Sequence, residues 1–261
     1  MNFDMYQLDS FSTKVFAGNP AAVVPLEQWL PDSTLQAIAM ENNLSETAFF
    51  VKEAEGFHLR WFTPIDEVDL CGHATLASAY VLYHHLAYSQ ESIRFFTLSG
   101  ELTVQRESQG LRMNLPSRPA QSCELPEEIS QAVGACPQWS GASNNWLLLF
   151  ANEQEVLSIS PDFSQLLARS DKNVIVTAPG DNCDFVSRFF APLCGVDEDP
   201  VTGSAHCTLA PFWAERLGKD TLLARQVSAR GGQLLCQVKG DRVEIVGDCV
   251  TYLKGQIFVN L

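Results

Sequence analysis

Asp69-Leu70-Cys71-Gly72-His73-Ala74-Thr75-Leu76-Ala77-Ser78-Ala79-Tyr80 is the stretch around which this chain organises itself. An apolar alternating run at 57–62 reads as a strand, and 63–69 as the loop that follows it. The small residues and the spacing of Leu76, Ala79, Tyr80 and Tyr83 then predict a helix. Gly72 and His73 fall where that helix begins, where unpaired backbone N–H groups can hold an anion.

A second stretch has the same character. Gly195-Val196-Asp197-Glu198-Asp199-Pro200-Val201-Thr202-Gly203-Ser204-Ala205-His206 is polar and turn-rich, and it feeds a helix expected over 207–217, stopped by Gly218. Thr75-Leu76-Ala77 recurs as Thr208-Leu209-Ala210 at an offset of 133. Ser99-Gly100-Glu101-Leu102 aligns with Gly231-Gly232-Gln233-Leu234, and Leu111-Arg112-Met113 with Val243-Glu244-Ile245, both at 132. A glycine-bearing loop, a helix and three antiparallel strands thus occur twice, with a period too long for a solenoid. The expectation is two similar lobes, each offering a loop and a helix start to a shared small-molecule cleft.

The remaining elements follow from local pattern. Strands are expected at 5–11, 92–98, 101–106 and 111–115, with a short apolar element at 20–24, a polar knot running straight into a strand over 44–51, and a turn at Gln109-Gly110. A helix starts after Pro31 and ends at Asn42-Asn43. Residues 116–126 carry three prolines and little periodicity, which places a domain boundary there. Beyond it we expect a helix at 127–133, strands at 146–150 and 156–159, a helix at 161–168, and strands at 173–178, 183–190, 222–229, 233–238, 242–246 and 256–260. The domains expected are 1–116, joined by the terminal strand 250–261, and 117–249.

Composition narrows the function. The 261 residues are 46% hydrophobic, enough for a full core, and only 18% charged. The formal net charge of -14 argues against nucleic acid or an acidic membrane as the main partner. No basic, apolar leader opens the sequence, and no apolar run is long enough to span a membrane. The eight cysteines form no CxxC pair, which favours reduced thiols in the cytoplasm.

Several residues could carry chemistry. Glu46, beside Phe49 and Phe50, is placed for partial desolvation and general acid–base work; a solvated loop glutamate is the bland alternative. His73 could donate to a carboxylate or carbonyl or move protons, or simply satisfy itself at a helix start. Asp199 could orient His73 or a substrate amine, and Ser204 and nearby amides could hold an anion; all are equally good capping residues. Asn19 and the pair Asn144-Asn145 are compatible with ordinary turns. Cys71 is a possible nucleophile, but the second lobe has no cysteine at the equivalent turn, so a buried structural thiol is favoured. His58, His84, His85 and His206 form no metal-binding pattern, and no nucleotide-binding glycine motif or nucleophile elbow is present. No metal, nicotinamide, flavin or ATP is therefore expected.

Taken together, Phe16-Ala17-Gly18-Asn19-Pro20-Ala21, Ser45-Glu46-Thr47-Ala48-Phe49, Phe62-Thr63-Pro64, Cys71-Gly72-His73-Ala74-Thr75 and Glu198-Asp199-Pro200-Val201-Thr202-Gly203-Ser204-Ala205 span almost the whole chain. They resemble, in order, the PhzF-like family of phenazine biosynthesis. The resemblance implies an α+β fold like that of diaminopimelate epimerase: two pseudo-symmetric lobes, each a curved, mostly antiparallel sheet or barrel around a central helix. It implies a cofactor-free homodimer whose catalytic residues are Glu46, His73 and Asp199. Asn19, Ser45, Gly72, Gly203 and Ser204 fall on its ligand-contacting positions. The function expected is isomerisation of a small carboxylate by proton abstraction and return at carbon. Amino-acid racemisation or epimerisation, and non-catalytic small-molecule binding, are the alternatives. Related epimerases use two opposed cysteines; only Cys71 is kept here, which favours a carboxylate base.

Overall fold

The computed structural model describes residues 1–108 and 110–259, so Gln109 of the expected turn and Asn260 of the expected last strand lie outside the described residues. The chain divides into two compact units, Met1–Leu115 with Val246–Leu261, and Pro116–Ile245.

In the first unit the strands Cys249–Phe258, Asn2–Ser10, Asn19–Leu26, Glu46–Glu53, Gly56–Phe62, Ser92–Thr97, Gly100–Glu107 and Gly110–Pro116 each pair with the next. All these pairings are antiparallel except Asn19–Leu26 with Glu46–Glu53 and Gly56–Phe62 with Ser92–Thr97. Parallel neighbours need a crossover. The helix Asp32–Asn42 makes the first, ending on Asn43 in the left-handed region at φ 49. The helix Gly72–His84 makes the second, and every residue in it but Tyr80 and His84 is buried. Thr75 and Ser78, buried on this helix, donate back to the carbonyls of Cys71 and Ala74 at 2.5 and 2.7 Å, so neither hydroxyl is left unpaired in the core.

The second unit repeats the scheme. Gln121–Ser122, Trp139–Ala142, Trp146–Leu149, Val174–Pro179, Phe185–Ala191, Thr221–Gln226 and Gly232–Lys239 pair successively. Again two pairs are parallel, Trp146–Leu149 with Val174–Pro179 and Phe185–Ala191 with Thr221–Gln226. Even the short strand before the central helix recurs: Glu67–Val68 pairs with the end of Gly56–Phe62, and Val196–Asp199 with the end of Phe185–Ala191. The central helix here is Gly203–Leu217. Pro211 sits inside it and has no N–H to give the Cys207 carbonyl; that carbonyl instead accepts from the backbone N–H of Arg118 at 2.9 Å.

Four expectations need correction. Residues 156–159 are not a strand but close a helix, Glu153–Ser158. Asn152 caps it by accepting from the Glu155 N–H at 2.9 Å, and Val156 and Ile159, three apart, both enter the core. The polar run at 196–199 pairs as a strand. Strand 222–229 stops at Gln226, and the second central helix starts at Gly203, not at residue 207. Gly72 and Gly203, the two helix starts, are therefore 131 positions apart, so the Thr-Leu-Ala match at 133 is two residues out of structural register.

Candidate active site

In the first unit, parallel pairing of Glu46–Glu53 with Asn19–Leu26 brings the starts of both strands to one end of the sheet, Ala21 facing Glu46. The central helix begins there too. Glu46 Oε2 lies 3.1 Å from His73 Nε2, with the imidazole 3% and the carboxylate side chain 17% exposed. Apart from each other, neither atom has a hydrogen-bond partner among the described residues. On the far side of the ring, Asn19 Nδ2 lies 3.1 Å and Cys71 Sγ 3.5 Å from Nδ1. An amide N–H donating to Nδ1 leaves the proton of the neutral ring on Nε2, pointing at the carboxylate.

Asn19 is fully buried because the chain turns sharply just before it. Gly18 has φ +70, and a Cβ there would fall 2.1 Å from the Ser10 carbonyl oxygen, so only glycine fits. Ser10, also buried, donates to the His73 carbonyl at 2.8 Å and fixes the start of the helix from behind. Among the described residues no side chain caps that helix, whose extended N-cap residue is Cys71; Gly72 is buried and Ser45 half-buried.

Burial works against charge on His73, but the contacts with Cys71 and Glu46 raise its pKa well above the usual imidazole value. Burial, with Glu46 next to it, pushes the Cys71 thiol up to about 11. That thiol is protonated at neutral pH, so the charge that favours imidazolium is that of Glu46. Glu46, Cys71 and His73 offer ligand atoms within 4.8 Å of one another. The carboxylate and the thiol nevertheless approach different ring nitrogens. The arrangement as it stands suits proton movement along Glu46–His73.

The second unit builds its own set around the helix start at Gly203. Asp199, at the end of the strand Val196–Asp199, is 8% exposed and accepts from the Thr202 hydroxyl through Oδ2. Thr202 is the extended N-cap residue, equivalent to Cys71. Gly203 is buried and Ser204 half-buried in the first turn, again with no side-chain cap. His206 donates through Nδ1 to the Thr202 carbonyl at 2.8 Å, and burial lowers its pKa to about 4. Gln226, absent from the sequence-derived candidates, reaches both Asp199 and Thr202. No local pattern marks it, because it lies on the neighbouring strand Thr221–Gln226.

The chain matches the phenazine biosynthesis-like protein family over residues 8–255. It belongs to that family. Among curated relatives of this phenazine biosynthesis-like chain, an uncharacterized isomerase of Pseudomonas aeruginosa is 48% identical over 257 residues, covering 98% of this chain and 99% of the relative. The human phenazine biosynthesis-like domain-containing protein is 38% identical, covering 98% and 99%. A PhzF-family crystal structure from Enterococcus faecalis superposes with a TM-score of 0.94 at 45% identity, covering 99% and 100%. A hydroxyproline epimerase of Agrobacterium vitis superposes at 0.66 with 10% identity, which shows a common fold alone. The α+β architecture of two pseudo-symmetric, sheet-rich lobes is thus the one found in the PhzF-family structure. No helix among the described residues is long and apolar enough to cross a membrane.

Proposed function

We propose that this chain is a cofactor-independent isomerase that removes a proton from carbon in a small carboxylate and returns it. The observation that carries this reading is the 3.1 Å pairing of Glu46 Oε2 with His73 Nε2. The carboxylate keeps 17% of its side chain exposed while the imidazole behind it is closed off. Glu46 can therefore reach a substrate carbon, and His73 can hold or give up the proton it carries on Nε2. A base at such a site contributes about 10²–10⁴ in rate. In the second unit Asp199 is the group that orients substrate, with Ser204 and the amide at Gly203 as anion-binding groups, and in the first unit the amides near Gly72 have that role. Ser45 and Asn19 flank Glu46 and His73. A cytoplasmic homodimer is part of the same reading.

Racemisation by a pair of thiols is less well supported. Cys71 is held as a thiol, and Thr202 occupies the equivalent place in the second unit.

A metabolite library in D2O tests the proposal. Wild-type protein should place deuterium on carbon in at least one small carboxylate, and Glu46→Gln should slow that exchange at least ~100-fold. Exchange that is unchanged in Glu46→Gln removes Glu46 from the role given to it. Binding of a carboxylate with no exchange by the wild type makes the chain a binding protein.

A further inference from the structure

Gln226 is 1% exposed and spends every polar atom of its side chain on one turn. Its Oε1 accepts from the Thr202 N–H at 2.8 Å. Its Nε2 donates to the Asp199 carbonyl at 2.7 Å and to Thr202 Oγ1 at 3.2 Å. The Thr202 hydroxyl in turn donates to Asp199 Oδ2. The Thr202 carbonyl takes the His206 Nδ1–H. Thr202 is thereby held at its N–H, its carbonyl and its hydroxyl, and the hydroxyl passes that constraint to the Asp199 carboxylate.

From this geometry we propose that Gln226 is a positioning residue that fixes the Asp199 carboxylate and the helix start at Gly203 for substrate binding. The proposal rests on the reading of Asp199 and Ser204 given above. A carboxamide is the side chain that suits the place. It supplies a donor and an acceptor at once, so it can clamp a backbone carbonyl and a backbone N–H that sit three residues apart. It also brings no charge into a buried site beside a carboxylate. Among the described residues the first unit has no counterpart. Its strand Ser92–Thr97 ends in Thr97, whose hydroxyl turns back to the Gly100 carbonyl at 2.7 Å. The clamp therefore belongs to the lobe that carries Asp199 and is not a requirement of the repeated fold.

Two substitutions separate positioning from mere packing. Gln226→Glu keeps the acceptor for the Thr202 N–H but loses the donor to the Asp199 carbonyl and the Thr202 hydroxyl. Gln226→Met keeps the volume and loses both. The readouts are amide hydrogen exchange at Thr202 and kcat/KM for deuterium exchange into the carboxylate found active in the library. We expect Thr202 exchange at least tenfold faster in Gln226→Met and close to wild type in Gln226→Glu. We expect kcat/KM at least tenfold lower in both. If kcat/KM stays within twofold of wild type in both, Gln226 does not position the site, whatever Thr202 does. If Gln226→Met fails to fold, the kinetics of Gln226→Glu decide alone. If the wild type exchanges no compound, the isomerase reading fails by itself. The Thr202 amide then decides the clamp: faster exchange in Gln226→Met upholds it and unchanged exchange overturns it.

Discussion

Asn19 and His73, 54 positions apart in sequence, meet in the core of the first unit with the carboxamide Nδ2 3.1 Å from the imidazole Nδ1. The opposite ring nitrogen faces Glu46 at 3.1 Å. The imidazole is thus held between a neutral donor and a carboxylate. Which nitrogen carries the proton is set by the fold and not by the histidine.

Replacing Asn19 should change that proton's position. In Asn19→Leu the Nδ1 site has no amide donor, and the Nε2–H tautomer loses its preference. Nitrogen-15 spectra of His73 should show a single tautomer in the wild-type neutral ring and a mixture in the variant. Urea unfolding should show a loss of about 1–3 kcal/mol for the broken buried hydrogen bond. A wild-type spectrum in Asn19→Leu would mean that Asn19 does not set the tautomer.

The Glu46 carboxylate should account for the elevated His73 pKa at neutral pH. A folded-state pKa above the unfolded value of about 6.5 stabilises the protein below that value, and the stabilisation is lost as pH rises through the folded value. Glu46→Gln should lower the midpoint of the His73 proton resonance titration. It should also flatten the fall of stability above about pH 6.5. The same midpoint in both proteins would show that another group holds the proton.

His206 predicts the opposite slope. Burial lowers its pKa to about 4, so the unfolded chain binds a proton that the folded chain refuses. Its contribution is present above about pH 6.5 and is lost as pH falls toward 4, on the order of 3 kcal/mol over that window. Chemical denaturation at pH 7 and pH 4.5 should show a smaller acid loss in His206→Gln than in wild type. An identical loss would assign acid sensitivity to the carboxylates alone.

Gly18→Ala should be costly far beyond its one added methyl. The residue sits at φ +70, and the new Cβ would meet the Ser10 carbonyl oxygen at 2.1 Å. Strain of this kind costs about 1–3 kcal/mol, and here the backbone must also shift to clear the clash. A drop in thermal midpoint should come with perturbed His73 resonances, since Asn19 follows directly. Ala tolerated with neither change would contradict the turn geometry.

The first unit's central helix is legible from a run of small residues that follows a glycine-marked turn, and the short helix Glu127–Val133 from its pattern. In the 156–159 segment Val156, Leu157 and Ile159 suit a strand as well as a short helix, so local pattern does not separate the two. The deciding signal was the Asn152 cap, four residues earlier. The strand Val196–Asp199 has no apolar pattern of its own; a tertiary contact holds it, Glu198 receiving both arms of Arg188 at 2.8 and 2.9 Å. Arg188 in turn holds the carbonyls of Val156 and Ile159.

The sequence by itself determined the twofold recurrence of loop, helix and strands, the family motifs, and the chemical groups available near each helix start. These are properties of neighbouring residues, written in period and spacing. Only the tertiary structure decided which nitrogen of His73 faces Glu46, that Asn19 is closed off behind the ring, and that Gln226 clamps Asp199 and Thr202. Buried polar groups must pair somewhere, but the partner is chosen by how the chain returns on itself from 24 to 54 residues away. Local sequence carries no record of that return.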